Sequence, residues 1–161
     1  MTEFIAGDES LIVKWTTDAS STHISTQAQA QTQQPMVDAF NHAQDAVLYF
    51  SMKATQGLTW QNNADVVCRS TFANTSALQN TSDSTFRAVN ERWPVFSIAV
   101  DVGSVGSAAS DPVVWTLGVV RNPSIFTIQY TGETSQAEYR SAYYWSNFSS
   151  AIDVVSRLSS I

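Results

Sequence analysis

Apolar side chains recur two apart along most of this chain, and that spacing predicts strands. Residues 10–16 (Ser-Leu-Ile-Val-Lys-Trp-Thr) are apolar and β-branched and read as the first. In residues 23–34, Gln27, Gln29, Gln31 and Gln33 share one parity, while Ile24, Ala28, Ala30 and Thr32 take the other. This predicts a half-solvated strand with small side chains inward and amides outward, against the alternative of a Gln-rich linker. Strands are predicted again at residues 46–52, 58–60 (after Gly57), 65–73, 85–89, 94–102, 112–121, 124–130 and 139–145. Between them, residues 35–44 read as a loop or short helical turn and Asn62-Asn63 as a turn. Residues 74–84 read as a polar connection, and the small residues of 103–111 as a hairpin loop.

The period changes near the end. Phe148, Ala151, Ile152, Val155 and Leu158 recur at helical spacing, which predicts an amphipathic helix over about 147–160, capped by Ser146 or Asn147. Strands do not alternate with helices, so a parallel sheet is not expected. The fold class is all-β: a β-sandwich of about nine to eleven mostly antiparallel strands with a short C-terminal helix, in one domain spanning residues 1–161.

Composition narrows the function. The chain is 43% hydrophobic but only 14% charged, with net charge −6 from 14 acids and 8 bases. Ser, Thr, Asn and Gln fill the surface. No Lys/Arg cluster offers itself to a phosphate backbone or an anionic lipid, which argues against nucleic-acid binding. No apolar stretch is long enough for a helical membrane span. The N-terminus does not read as a signal peptide, yet Asn74, Asn80 and Asn147 each begin an Asn-x-Ser/Thr sequon and point to possible N-glycosylation and a secreted or extracellular location. The one cysteine, Cys68, reads as a small buried hydrophobe rather than a reactive thiol.

Catalytic chemistry finds little to work with, and no catalytic residue, metal site or cofactor is assigned. The two histidines, His23 and His42, flank no Gly-x-Ser-x-Gly elbow, so a nucleophile triad is not expected. His42 and Asp45 stand at i, i+3, but two ligands do not make a metal site. Asp101 and Asp111 bracket the 103–111 loop and read as turn acids rather than a paired-carboxylate centre. Aromatics are the richer set. Trp60, Trp93, Tyr143 and Tyr144 are candidates for stacking on carbohydrate, against the plainer reading that such side chains fill a core or an interface. In a strand, Tyr143, Tyr144 and Trp145 must alternate sides, so at least one faces outward.

Several segments together resemble the N-terminal β domain of fungal glutaminase A-type proteins. They are residues 86–96 (Phe-Arg-Ala-Val-Asn-Glu-Arg-Trp-Pro-Val-Phe), 100–105 (Val-Asp-Val-Gly-Ser-Val), 113–123 (Val-Val-Trp-Thr-Leu-Gly-Val-Val-Arg-Asn-Pro) and 140–148 (Arg-Ser-Ala-Tyr-Tyr-Trp-Ser-Asn-Phe), with 47–53 and 10–15 in support. The resemblance implies a parent activity of hydrolysing glutamine to glutamate and ammonia, in secreted or cell-surface proteins. It also implies that a helical domain, similar to the α/α toroids of glycoside hydrolases, follows and holds the active site, so that this chain stops where those helices would begin. Three readings follow. The first is a non-catalytic accessory domain that docks on such a helical domain through Phe148, Ile152 and Val155. The second is a free-standing secreted binding protein, lectin-like or immunomodulatory, recognising carbohydrate or a cell-surface partner as a homo-oligomer. The third is an enzyme in its own right.

Overall fold

The computed structural model describes residues 10–33, 45–109, 112–121, 125–132 and 134–158. Residues 35–44, read as a loop or helical turn, lie outside them. Among the described residues, ten strands run in chain order: β1 (Ile12–Ala19), β2 (His23–Ala30), β3 (Val47–Lys53), β4 (Leu58–Ala64), β5 (Thr81–Ser82), β6 (Arg87–Ala88), β7 (Pro94–Val100), β8 (Trp115–Val120), β9 (Ile125–Thr131) and β10 (Thr134–Arg140). Helix α1 (Asp65–Thr75) follows β4, and a 3-10 turn (Tyr143–Ser146) precedes helix α2 (Ala151–Leu158). One sheet has the order β6-β1-β2-β3-β8, a second β5-β4-β7, and β9 and β10 form a two-stranded hairpin. The pairing is antiparallel except for β4 with β5. The expected all-β sandwich is what forms.

Register shows how the layers meet. Opposite one another on one face of the larger sheet stand Val13 and Ala30, then Trp15, Ala28 and Leu48. Val13, Trp15, Ala28 and Leu48 form the core, with Phe96 of β7 and Val89 packed on it. Phe96 belongs to the smaller sheet, so the two sheets face each other across this cluster. The amide of Asn62 crosses the same gap, its Nδ2 donating to Thr17 Oγ1 at 2.5 Å, while Thr26 Oγ1 donates to its Oδ1 at 3.5 Å. Asn62 therefore lies inside β4, not in the turn its Asn-Asn sequence suggests. A buried amide is tolerable because hydroxyls across the gap satisfy it.

Each outer face carries a helix. On the smaller sheet, α1 packs against β4 and β7, with Cys68 as its buried residue. On the larger sheet, α2 packs on β3 and β8: Ala151 and Ile152 meet Val47, Tyr49, Val120 and Trp145. Ser25 and Ser51, paired on that same face, are fully buried and hydrogen-bond through their hydroxyls.

Three further expectations are corrected. Residues 65–73, read as a strand, are helix α1. Val66 and Val67 favoured a strand, and the helix's single buried residue gave no apolar stripe to betray its period. Local bonds decide instead. Arg69 Nε clamps both oxygens of Asp65 at 2.7 and 2.8 Å, the Trp93 carbonyl accepts from the Asp65 N–H at 2.9 Å, and Ser76 closes the helix in the left-handed region. Residues 143–145, read as the end of a strand, form the 3-10 turn, so strand alternation does not govern those three rings. The last helix starts at Ala151 rather than near 147, because Asn147 closes the 3-10 turn on the Tyr144 carbonyl and Ser150 Oγ accepts from the Asp153 N–H at 3.2 Å. Ser150 is the cap, not Ser146 or Asn147.

A buried ion pair borders the core. Arg87, 5% exposed, donates through Nη1 to the Asp83 carboxylate and to the Thr85 carbonyl, and its guanidinium lies 5.3 Å from the centre of the Trp15 ring. Burial pushes the Asp83 carboxyl up, but the Thr85 N–H and the Arg87 guanidinium outweigh it and hold the group below the usual carboxylate range. Arg87→Ala leaves a shielded carboxylate without its cation and is expected to cost about 3–5 kcal/mol, read from the urea midpoint at neutral pH. Since the folded pKa of Asp83 is depressed, its contribution is fully present above the unfolded carboxylate value near ~4 and is lost as pH falls through the lower folded value. That acid-side loss should shrink in Arg87→Met, measured by urea titrations between neutral pH and strong acid.

Candidate functional site

The ionisable groups named from the sequence are occupied with local structure. His23 Nε2 lies 3.4 Å from Asp18, and its Nδ1 sits 3.0 Å from the Thr22 hydroxyl, at the β1–β2 turn. Asp45 pairs with Arg121 at 2.8 Å, tying the start of β3 to the end of β8. Asp101 Oδ1 accepts from the Gly103 N–H at 2.8 Å, the geometry of a turn acid. Its proposed counterpart Asp111 and the histidine His42 lie outside the described residues. Among the described residues, no three His, Cys, Asp or Glu side chains gather as a metal site. No helix there is long and apolar enough to cross a membrane.

The aromatic candidates do not share a face. Trp60 is half-buried on β4, on the parity that faces the larger sheet, and its backbone is stapled to Asn80 by two bonds, N–H to Asn80 Oδ1 at 2.9 Å and carbonyl from the Asn80 N–H at 2.8 Å. Trp93, 49% exposed, projects from a corner where both Arg92 and Trp93 have positive φ. That backbone is costly for side chains with a Cβ. It persists where the Trp93 carbonyl meets the first N–H of α1, on the flank of the smaller sheet. Tyr143 and Tyr144 lie on the other side of the sandwich, with α2. Tyr143 is 86% exposed, while Tyr144 stacks at 5.2 Å on Trp145, which packs against Tyr49. A single stacking platform is not assembled from the four.

Of the residues expected at a docking patch, Ile152 packs onto the protein's own sheet and Phe148 is half-buried. The side chain of Val155 lies outside the described set. The three sequon asparagines are all exposed: Asn74 in the last turn of α1, Asn80 before β5 and Asn147 at the close of the 3-10 turn.

Two surface features went unforeseen. An open cleft of about 380 Å³ runs between α1 and β7, walled by Phe72, Leu78, Val95, Ser97 and Ala99, with Asp65 and Arg69 at its polar side and Cys68 among its lining. The Cys68 Sγ–H points to the Gln61 carbonyl at 3.8 Å. Burial pushes this thiol above its ordinary value, and the Ser97 contact pulls it back only in part. The second feature is on β8. Trp115, Leu117 and Val119 stand opposite Met52, Phe50 and Leu48 of β3, so they share the face that carries the core. Yet Trp115 is 63% and Leu117 70% exposed. The three-stranded sheet is narrower than the five-stranded one and does not reach over β8. The β-branched and aromatic run of residues 112–121 announced the strand, but nothing local announces that its inward side is uncovered.

The comparisons with known proteins bear on the whole chain. The family model described as Domain of unknown function (DUF5127) matches residues 1–160. Glutaminase A of Aspergillus oryzae is 29% identical over 153 residues, covering 92% of this chain and 21% of that protein. A protein named as a probable glutaminase of Arthroderma benhamiae is 24% identical over 155 residues, covering 88% of this chain and 18% of its own length. The chain thus spans about a fifth of the length of the curated relatives it matches. No solved structure matches it significantly.

The buried Cys68 thiol predicts slow chemistry. Ellman's reagent should titrate less than about a tenth of the cysteine in the native chain over minutes and all of it in guanidinium. Full native labelling would show that the cleft opens to the thiol.

Proposed function

This chain belongs to the family described as Domain of unknown function (DUF5127), and from that premise we propose that it is a non-catalytic accessory β-sandwich serving a larger glutaminase-type enzyme. One observation carries the reading. The two named relatives are called glutaminases, and about four-fifths of each lies outside the matched stretch. A domain that accounts for so little of each relative suits a supporting role better than the chemistry. The chemistry proposed for the complete enzyme is hydrolysis of glutamine to glutamate and ammonia, with its active site in the remaining polypeptide.

The same proposal includes a secreted or cell-surface location, supported by the exposure of Asn74, Asn80 and Asn147. The alternative of a lectin-like or immunomodulatory protein binding carbohydrate draws less support, because Trp93 lies on one flank of the sandwich and Tyr143 and Tyr144 on the other.

Ammonia release on glutamine tests the proposal. This chain alone is expected to release none above buffer, and turnover by the purified chain would overturn it. Deleting the matched segment from the Aspergillus oryzae glutaminase A is expected to lower its thermal stability or secreted yield, and grafting this chain in its place to restore them. A deleted enzyme as stable, as well secreted and as active as the parent would equally defeat the idea.

A further inference from the structure

We infer that Trp115, Leu117 and Val119 of β8 form the surface on which the remaining polypeptide of a glutaminase-type enzyme packs, an inference that rests on the accessory-domain reading above. The three side chains continue the core face of the larger sheet past the edge of the smaller one. Val113, of the same parity, is also exposed. Strand β8 (Trp-Thr-Leu-Gly-Val-Val) has no charged residue, and its one sheet neighbour among the described residues is β3. Edge strands are ordinarily guarded by a lysine, a proline or a bulge, and a row of large apolar side chains left in water marks a contact surface. The surface asks for an apolar, uncharged face.

The occupant follows from two facts. About four-fifths of each named relative lies beyond the matched stretch, which supplies ample polypeptide to cover the stripe. Helix α2, the last described element, packs on β8 and β3, so any polypeptide running on from it starts at the same edge strand, on the face opposite the stripe. A second copy of this chain is the less suitable occupant, since each carries net charge −6.

Hydroxyl-radical footprinting of Trp115 and Leu117 tests the inference. Both should be modified readily in the isolated chain, and at least about fivefold more slowly in a chimera in which this chain replaces the matched segment of the Aspergillus oryzae glutaminase A, as befits a buried interface core. Leu117→Glu should leave the melting temperature of the isolated chain within about 2 °C, because the residue is exposed, while lowering that of the chimera clearly. Equal modification in chain and chimera overturns the inference. If the chimera does not fold, the strand aligned with β8 is read in the intact relative, and ready modification there overturns it as well. An isolated chain that is a dimer dissociated by Leu117→Glu shows that a second copy is the occupant and also overturns it. If deletion of the matched segment harms the enzyme while β8 stays accessible, this inference fails and the accessory reading stands. A deletion without effect removes the accessory reading itself.

Discussion

The indole of Trp15 sits where the two sheets, two further rings and a buried ion pair meet, and its one polar atom has a single outlet. Phe86 and Phe96 approach edge-on at 5.2 and 5.8 Å, and Arg87 lies over the ring. Nε1 donates to the Asp83 carbonyl at 2.7 Å, and the side chain of the same Asp83 holds Arg87. Residue 83 thus satisfies the indole through its backbone and takes one nitrogen of the guanidinium, Nη1, on its carboxylate. A charge this deep is tolerable only with such partners, and the ring supplies a further, cation–π, attraction. The segment between α1 and β7 is fixed by this arrangement, which explains how a run with only two two-residue strands can border the core.

Face-to-face stacking of two sheets of unequal width has a geometric result. Five strands cannot all be covered by three. The overhang on the β1 side is slight, because β6 contributes two residues. On the β8 side it is a full strand. Helix α2 covers the outer surface of that strand and leaves its inner surface to whatever else the polypeptide provides. The proposed accessory role and the exposed apolar row are thus two views of one shortfall: a sandwich completed from outside itself.

Much of this was legible in the residues, and the exceptions share a cause. The glutamine alternation in β2 and the apolar parity of β7 predicted strands because one side of each contacts a core, and period two records that contact, while β3 and β8 were announced by their β-branched and aromatic runs. Helix α1 escaped because it buries little beyond Cys68, so no periodic pattern was written into it. The Asn62-Asn63 pair escaped because an amide satisfied across the sheet gap looks, in sequence, like an amide in a turn. The rings of residues 143–145 escaped because a 3-10 turn and a strand accept the same aromatics. The uncovered side of β8 was beyond reach for a different reason: exposure of an inward-facing side chain depends on the width of another sheet. The cleft beside α1 followed the helix in being missed.

The run from residue 101 to 109, exposed throughout, divides the chain in an instructive way. Every residue of the Trp15 cluster, and both sheets apart from β8, come before it. What comes after contributes one edge strand, a hairpin and the covering helix. The backbone could be cut in this run without separating any two members of the Trp15 cluster, leaving the later segment to bind the earlier one as a noncovalent strap through the β3–β8 ladder and the contact of Ala151 with Tyr49. Connectivity here is therefore a convenience more than a structural necessity, and the molecule suits fragment complementation or a rearranged order of its two halves.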